Sequence, residues 1–458
     1  MVAQFLLCAA SGRCGLLVAA IAVLGFFGSP AGPANSAIAR EGGDSRGALH
    51  WIGTWGTAPQ AAIPGRAQTF GKQTLRLIVH VSAGGRKVRI KISNTFGDQP
   101  LHVGGAHLAL RADGADIDAA TDRTMTFRGK LSTTVPAHST VVSDAVDMDV
   151  PALSDLAISL FLPETAAAAT SHILAKQTSY VSGGTGDSTG AVKFSVAQTI
   201  TDWPFLTGVD VAASSHGGSI VALGSSLTDG DGSTTNANRR WPDVLAERLQ
   251  KDADGNKELG VLNEGIIGNR LLSDFDSPRQ AGGPPPLGAV FAQLARALGR
   301  SGVKRFERDV LAQAGVKYVI LALGVNDILF PDSFIPATEA VNSQSIISGN
   351  RQLIARAHKT GVRVIGTTIP PFKHAIFRNP FFDRFYTPGK EKVRQEVNGW
   401  IRSSGEFDGV IEFDQAVRDP DHPTQILPTY DSGDHLHVND AGNVAQGDAI
   451  SLALFKER

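Results

Sequence analysis

Ser219-Ile220-Val221-Ala222-Leu223-Gly224-Ser225-Ser226-Leu227-Thr228-Asp229 is the stretch on which the fold turns. Four apolar residues, Ile220 to Leu223, run into glycine and then into small polar residues. A short apolar run bounded by turn chemistry predicts a strand buried on both faces. Downstream the grammar repeats. Strand-like runs at Val261 to Asn263, Tyr318 to Leu323, Arg363 to Thr368 and Gly409 to Phe413 alternate with helix-length segments. Those segments are Trp241 to Gln250, Lys304 to Ala314, Ser343 to Lys359, Lys390 to Ser403 and a closing Asp440 to Phe455. Alternation of this kind predicts a parallel sheet covered by helices, with its chemistry outside the carboxyl ends of the strands.

Upstream, from about His50 to Ala212, the period is two. Leu75 to Val81, Val88 to Ile92, Leu156 to Leu162 and Val192 to Val196 alternate apolar with polar residues, and Gly84 to Arg86 and Asn94 to Gly97 supply turns. The pattern predicts an all-β sandwich over 48–214, joined through Ser214 to Gly218 to an α/β domain over 215–458.

Before both lies a segment with export character. Arg13 precedes the uncharged run Gly15 to Phe27, and Ala37-Ile38-Ala39 fits a small-x-small cleavage site. Residues 1–39 are expected to be a signal peptide, with a secreted or periplasmic product and no stable membrane span after cleavage. The only cysteines, Cys8 and Cys14, fall inside that segment. The mature chain is thus expected to have no disulfide, thiolate nucleophile or cysteine metal site. A net charge of -1 in 458 residues offers no basic face for nucleic acid.

Four polar clusters follow strand candidates. They are Gly224 to Gly230, Asn263 to Arg270, Leu323 to Asp327 and, before the last helix, Asp434 to Asp440. Their chemistry is complementary. The Ser226 hydroxyl needs a base, which His437 can supply. Asp434, three residues earlier, can reach the other ring nitrogen. The backbone N–H groups of Ser226 and Gly268 and the amide of Asn326 can face a developing oxyanion. His435 is a competitor for His437 and could pair with Asp431.

These blocks, in this order, resemble the SGNH (GDSL-type) hydrolases. The resemblance maps the nucleophile block to Gly224, Ser226 and Leu227, the oxyanion residues to Gly268 and Asn326, and the Asp-x-x-His block to Asp434 and His437. It implies a flavodoxin-like three-layer α/β/α domain, a serine ester hydrolase (acyl or acetyl esterase) and no cofactor. Two departures stand out: Ser225 where aspartate is usual, and Val438 where proline often follows the histidine. Trp51 to Pro59 and Arg89 to Phe96 resemble the leading jelly-roll-like β-domain of secreted bacterial two-domain members. That likeness implies a small-molecule or glycan-linked acyl ester as substrate, acetylated carbohydrate included.

Other features compete. Gly186-Asp187-Ser188-Thr189-Gly190 fits a nucleophile pattern but lacks the strand before and helix after that an elbow needs. Asp252 to Asn263 and Asp229 to Ser233 begin like calcium loops but fail at later positions. Trp51, Trp55 and Tyr180 could stack on sugars or fill a core. Asp327 reads as a scaffold carboxylate. Two further functions share the same residues: a silent hydrolase domain attached to a glycan-binding sandwich, and acyl transfer to a sugar hydroxyl.

Overall fold

The computed structural model describes residues 50–456 apart from 64, 66, 253–255, 275–294 and 376–384. The expected signal segment, with both cysteines, lies outside the described residues.

The first half is antiparallel. Its longer strands are β1 (His50–Gly56), β2 (Gln73–His80), β3 (Gly85–Ser93), β4 (Gly105–Asp113), β5 (Asp155–Leu162), β6 (Ser179–Ser182), β7 (Val196–Ile200) and β8 (Leu206–Ala213). One sheet runs β1-β8-β3, with Thr140–Val142 and Val146–Val150 along the far side of β3; the other runs β7-β6-β2-β5-β4. The period-two residues meet between them. Leu75, Leu77, Val79, Leu156, Ile158 and Leu160 from one sheet share a core with Val88, Ile90, Ile92, Val209 and Val211 from the other. Burying such side chains is worth about 1.5–3 kcal/mol each, which is why the alternation fixes the register.

Arg76, between Leu75 and Leu77, lies on the other face of its sheet from that core. It is fully buried and its guanidinium donates to the carbonyls of Ala115, Ala191 and Thr189 and to Ser159 Oγ. Residues 187–194 wrap around it, with the Phe194 ring 4.3 Å from its guanidinium carbon. The strand expected at Val192 to Val196 therefore starts only at Val196, as β7. Ser188 belongs to this wrapping turn, in which Asp187 Oδ1 accepts from the Thr189 N–H.

The second half has strands β9 (Gly218–Gly224), β10 (Leu259–Gly265), β11 (Val316–Ala322), β12 (Arg363–Thr367) and β13 (Gly409–Ile411). Its helices are α1 (Ser226–Asp229), α2 (Trp241–Lys251), α3 (Gly302–Phe306), α4 (Val325–Leu329), α5 (Ser343–His358), α6 (Pro388–Ser403), α7 (Phe413–Val417) and α8 (Asp440–Asp448). The strands pair in parallel in the order β10-β9-β11-β12-β13. Val221, Leu223, Val319 and Leu321 pack with Leu353 and Ile354 of α5 and Val397 and Ile401 of α6. Their sequence neighbours Ile220, Ala222, Tyr318 and Ile320 pack instead with Trp241, Leu245 and Leu249 of α2. The central strands β9 and β11 are buried on both faces at Ile220 to Leu223 and at Tyr318 to Leu321, so those runs are continuously apolar or aromatic. The chain leaves β9 to one side and returns on the other, which opens a crevice at the strand ends.

Two helix expectations need correction. The one over Lys304 to Ala314 is α3, which widens into a π-helical turn at Glu307–Leu311. The closing helix ends at Asp448 and gives way to a 3₁₀ turn, Leu452–Phe455. There the Arg248 guanidinium takes the carbonyls of Gly447 and Ile450, and Ile450 turns into the core.

The β half lies against the outer edge of the parallel sheet. Thr57 forms a parallel bridge to Asn263, and Gly53 N–H donates to Ser219 Oγ at 2.8 Å. That contact covers the β10 edge, which would otherwise present unpaired backbone.

Candidate active site

Ser226 follows β9 after the single residue Ser225 and opens α1. The turn is tight: a Cβ on Gly224 would sit 1.9 Å from Thr228 Oγ1. The Ser226 hydroxyl is 2.8 Å from His437 Nε2. His437 Nδ1 is 2.6 Å from Asp434 Oδ2, and Asp434 Oδ1 accepts from the backbone N–H groups of Leu436 and His437 at 3.0 and 2.8 Å. The aspartate thus folds its own loop around itself, which is what spacing by three permits.

Electrostatics follow from that geometry. Burial alone would push the Asp434 carboxyl up, but His437 and the two N–H donors hold it well below the usual carboxylate range. Burial disfavours the His437 imidazolium, yet the carboxylates of Asp434 and Asp231 outweigh it and raise the pKa to about 9.

The next loop brings Gly268, whose φ of +70° is a left-handed conformation. A Cβ there would also meet Leu298 Cδ2 at 2.7 Å. Among the described residues neither the Ser226 nor the Gly268 N–H has an acceptor. Asn326, on α4, donates one amide hydrogen to the Asn269 carbonyl at 2.9 Å and keeps a second. Unpartnered donors of this kind are what an oxyanion requires.

Beneath the site Arg305, fully buried, ties the loops together. Its guanidinium donates to the carbonyls of Gly224 and Glu264, both at 2.8 Å, and to Asn269 Oδ1 at 3.0 Å. Asn269 Nδ2 in turn holds the carbonyls of Leu298 and Arg300. Asp327 accepts from the Leu271 and Leu272 N–H groups at 2.7 and 3.0 Å. Burial pushes its carboxyl up to about 6. It is a loop clamp, as its scaffold reading supposed.

The other candidates fall elsewhere. His435 pairs through Nδ1 with Asp431 and does not bond Ser226. Trp55 is core, edge-on to Trp203 at 4.9 Å. Trp51 lies under the Arg89 guanidinium, 4.3 Å from its ring. Asp229 is taken by His172 and the Ile267 N–H. Among the described residues no group of three or more His, Cys, Asp or Glu could hold a metal ion.

Sequence reasoning missed four residues that shape the site. Asn269 and Asp231 lay in blocks already singled out, and their side-chain polarity was the available signal. Arg305 and His172 had none, because their partners are distant in sequence.

A serine hydroxyl, an imidazole and a carboxylate in one hydrogen-bonded line, at the carboxyl ends of a parallel sheet, are the equipment of an acyl-transferring hydrolase. The GDSL-like Lipase/Acylhydrolase family matches residues 220–450, and the chain belongs to that family; it is a carboxylic ester hydrolase. Among solved structures it is similar to the native aryl esterase of M. smegmatis, with 21% identity over 51% of this chain and 95% of that one and a TM-score of 0.36. It is also similar to a carbohydrate acetylesterase from Sinorhizobium meliloti, with 21% identity over 51% of this chain and 95% of that one and a TM-score of 0.34. No curated protein matches the chain.

Proposed function

We propose that the protein hydrolyses acyl esters through a covalent acyl-enzyme on Ser226. His437 Nε2 takes the hydroxyl proton as Ser226 Oγ attacks the ester carbonyl. Asp434 holds the imidazole in the tautomer that leaves Nε2 free to accept, and stabilises the imidazolium that forms. The N–H groups of Ser226 and Gly268 and the Asn326 amide receive the oxyanion. His437 then protonates the leaving alcohol, and water repeats the sequence to release the acid. No cofactor enters.

The observation that carries this reading is the 2.8 Å contact between His437 Nε2 and Ser226 Oγ, continued at 2.6 Å to Asp434. On p-nitrophenyl acetate, Ser226→Ala should abolish turnover while leaving binding intact. Undiminished turnover would refute the assignment.

Packing on both strand faces supports a flavodoxin-like three-layer domain over 215–458. Two sheets around one core support a jelly-roll-like sandwich over 48–214. The export character of residues 1–39 supports a secreted or periplasmic enzyme. The likeness of the β half to the leading domain of two-domain members supports acetylated carbohydrate as the substrate class. A Ser226 left unlabelled by a fluorophosphonate would favour the silent glycan-binding alternative. Acylated sugar among the products would favour transferase chemistry.

A further inference from the structure

We propose that His172, from the β half, is a positioning residue for the hydrolase site: it holds the nucleophile and oxyanion loops in register through Asp229. The inference rests on the reading of Ser226 as nucleophile.

His172 is 2% exposed and Asp229 1%. His172 Nδ1 lies 3.0 Å from the Ala58 carbonyl, which can only accept, so Nδ1 carries a hydrogen. Nε2 lies 2.9 Å from Asp229 Oδ1. Asp229 Oδ2 accepts from the Ile267 N–H at 3.0 Å. One proton between Nε2 and Oδ1 satisfies every atom of the pair, whichever atom it sits on. The ring cannot turn away without losing Ala58, and Trp203 stacks beside it at 5.8 Å.

Asp229 is the last residue of α1, whose first is Ser226, and Ile267 precedes Gly268. A single carboxylate therefore links the nucleophile's helix to the oxyanion loop, and the β half supplies the group that fixes it. The seam continues on either side. The buried Gln60 donates to the Ala297 carbonyl and accepts from the Ile173 N–H; Leu298, next along, lies under Gly268. Lys176 Nζ donates to the Ser233 carbonyl at 2.7 Å. The β half is thus built into the walls of the site. A misplacement of about 1 Å between nucleophile and oxyanion donors costs on the order of 100-fold in rate.

The test uses the full chain and two substitutions of opposite reach. His172→Gln can place an amide where Nε2 stands and still donate to Asp229. His172→Asn reaches only to the Ala58 carbonyl. With thermal melts establishing that each variant is folded, kcat and KM are measured on p-nitrophenyl acetate. The expected result is kcat lowered about 100-fold in His172→Asn with KM within about threefold, and rescue in His172→Gln to within about threefold of wild type. Equal kcat in His172→Asn and wild type overturns the proposal, and so does a folded His172→Gln that is as slow as His172→Asn. Should His172→Asn not fold, His172→Phe, which keeps the ring's volume and cannot donate to Asp229, takes its place, with the same lowered kcat expected and wild-type kcat overturning the proposal. Fluorophosphonate labelling of Ser226 in the wild type separates the two readings: without labelling the nucleophile assignment fails, whereas with labelling and unaffected His172 variants only the positioning role does.

Discussion

Asp231 Oδ2 stands 3.9 Å from His437 Nε2, the same nitrogen that contacts Ser226. The histidine therefore faces a carboxylate on each ring nitrogen, Asp434 on one and Asp231 on the other. As a base His437 works only when neutral. With its pKa held at about 9, kcat/KM should climb toward that pH and fall about tenfold per unit below it. Asp231→Asn removes one carboxylate, so the ascending limb should move to lower pH and kcat/KM at pH 7 should rise. A limb that stays in place would exclude Asp231 as a determinant.

The same histidine makes stability depend on pH. Its folded pKa is raised from 6.5 to about 9, so its contribution is complete below pH 6.5 and is lost as pH rises through 9. The difference amounts to about 3 kcal/mol. Urea midpoints of the wild type should fall over that window, and those of Asp231→Asn should fall less. Parallel curves for the two proteins would contradict this.

Asn326→Ala removes the amide that holds the Asn269 carbonyl and is proposed to receive the oxyanion. Loss of one oxyanion donor costs about 100- to 1000-fold in kcat. Steady-state kinetics on an aryl acetate should show that loss mainly in kcat. A change confined to KM would assign Asn326 to substrate binding instead.

Arg305→Met leaves two buried carbonyls and the Asn269 amide oxygen without their donor, although Asp309 keeps Arg308. Breaking such a buried charged network costs about 3–5 kcal/mol. Arg305→Lys should recover little, because one ammonium cannot reach acceptors set around a planar fork. Chemical denaturation measures both. A cost under about 1 kcal/mol in either would show that the loops hold without it.

Ser225 stands where the family usually has aspartate. Its hydroxyl is fully buried and without a hydrogen-bond partner among the described residues. Ser225→Ala should therefore keep turnover and leave the melting temperature unchanged or higher, since an unsatisfied buried hydroxyl costs about 1–3 kcal/mol. Lost turnover would make Ser225 a participant in the chemistry.

Much of this site was legible because its signals are local. Asp434 can bond the His437 ring and N–H because the two are three positions apart, and one turn closes that distance. Gly268 could be singled out because it lies in the polar block after a strand and matches the family's oxyanion glycine; its φ of +70° and the Leu298 side chain against it belong to the folded chain. The shift from period two to apolar runs separated the two halves, since strands with one and with two buried faces differ in composition. The misreadings have local causes too. The strand placed at Val192 to Val196 gave way to a wrap around Arg76, a buried charge whose acceptors lie up to 115 positions away.

By itself the sequence determined which residues could do chemistry, because a hydroxyl, an imidazole, a carboxylate and a glycine are properties of residue type and short spacing. Tertiary structure alone decided how they are held and tuned. Arg305 reaching Gly224, Asp231 reaching His437 and His172 reaching Asp229 join residues 57 to 206 positions apart. A side chain carries no mark in the sequence of the distant group it will meet. Those meetings are set when two sheets and their helices pack, and they fix both the basicity of His437 and the spacing of the groups around Ser226.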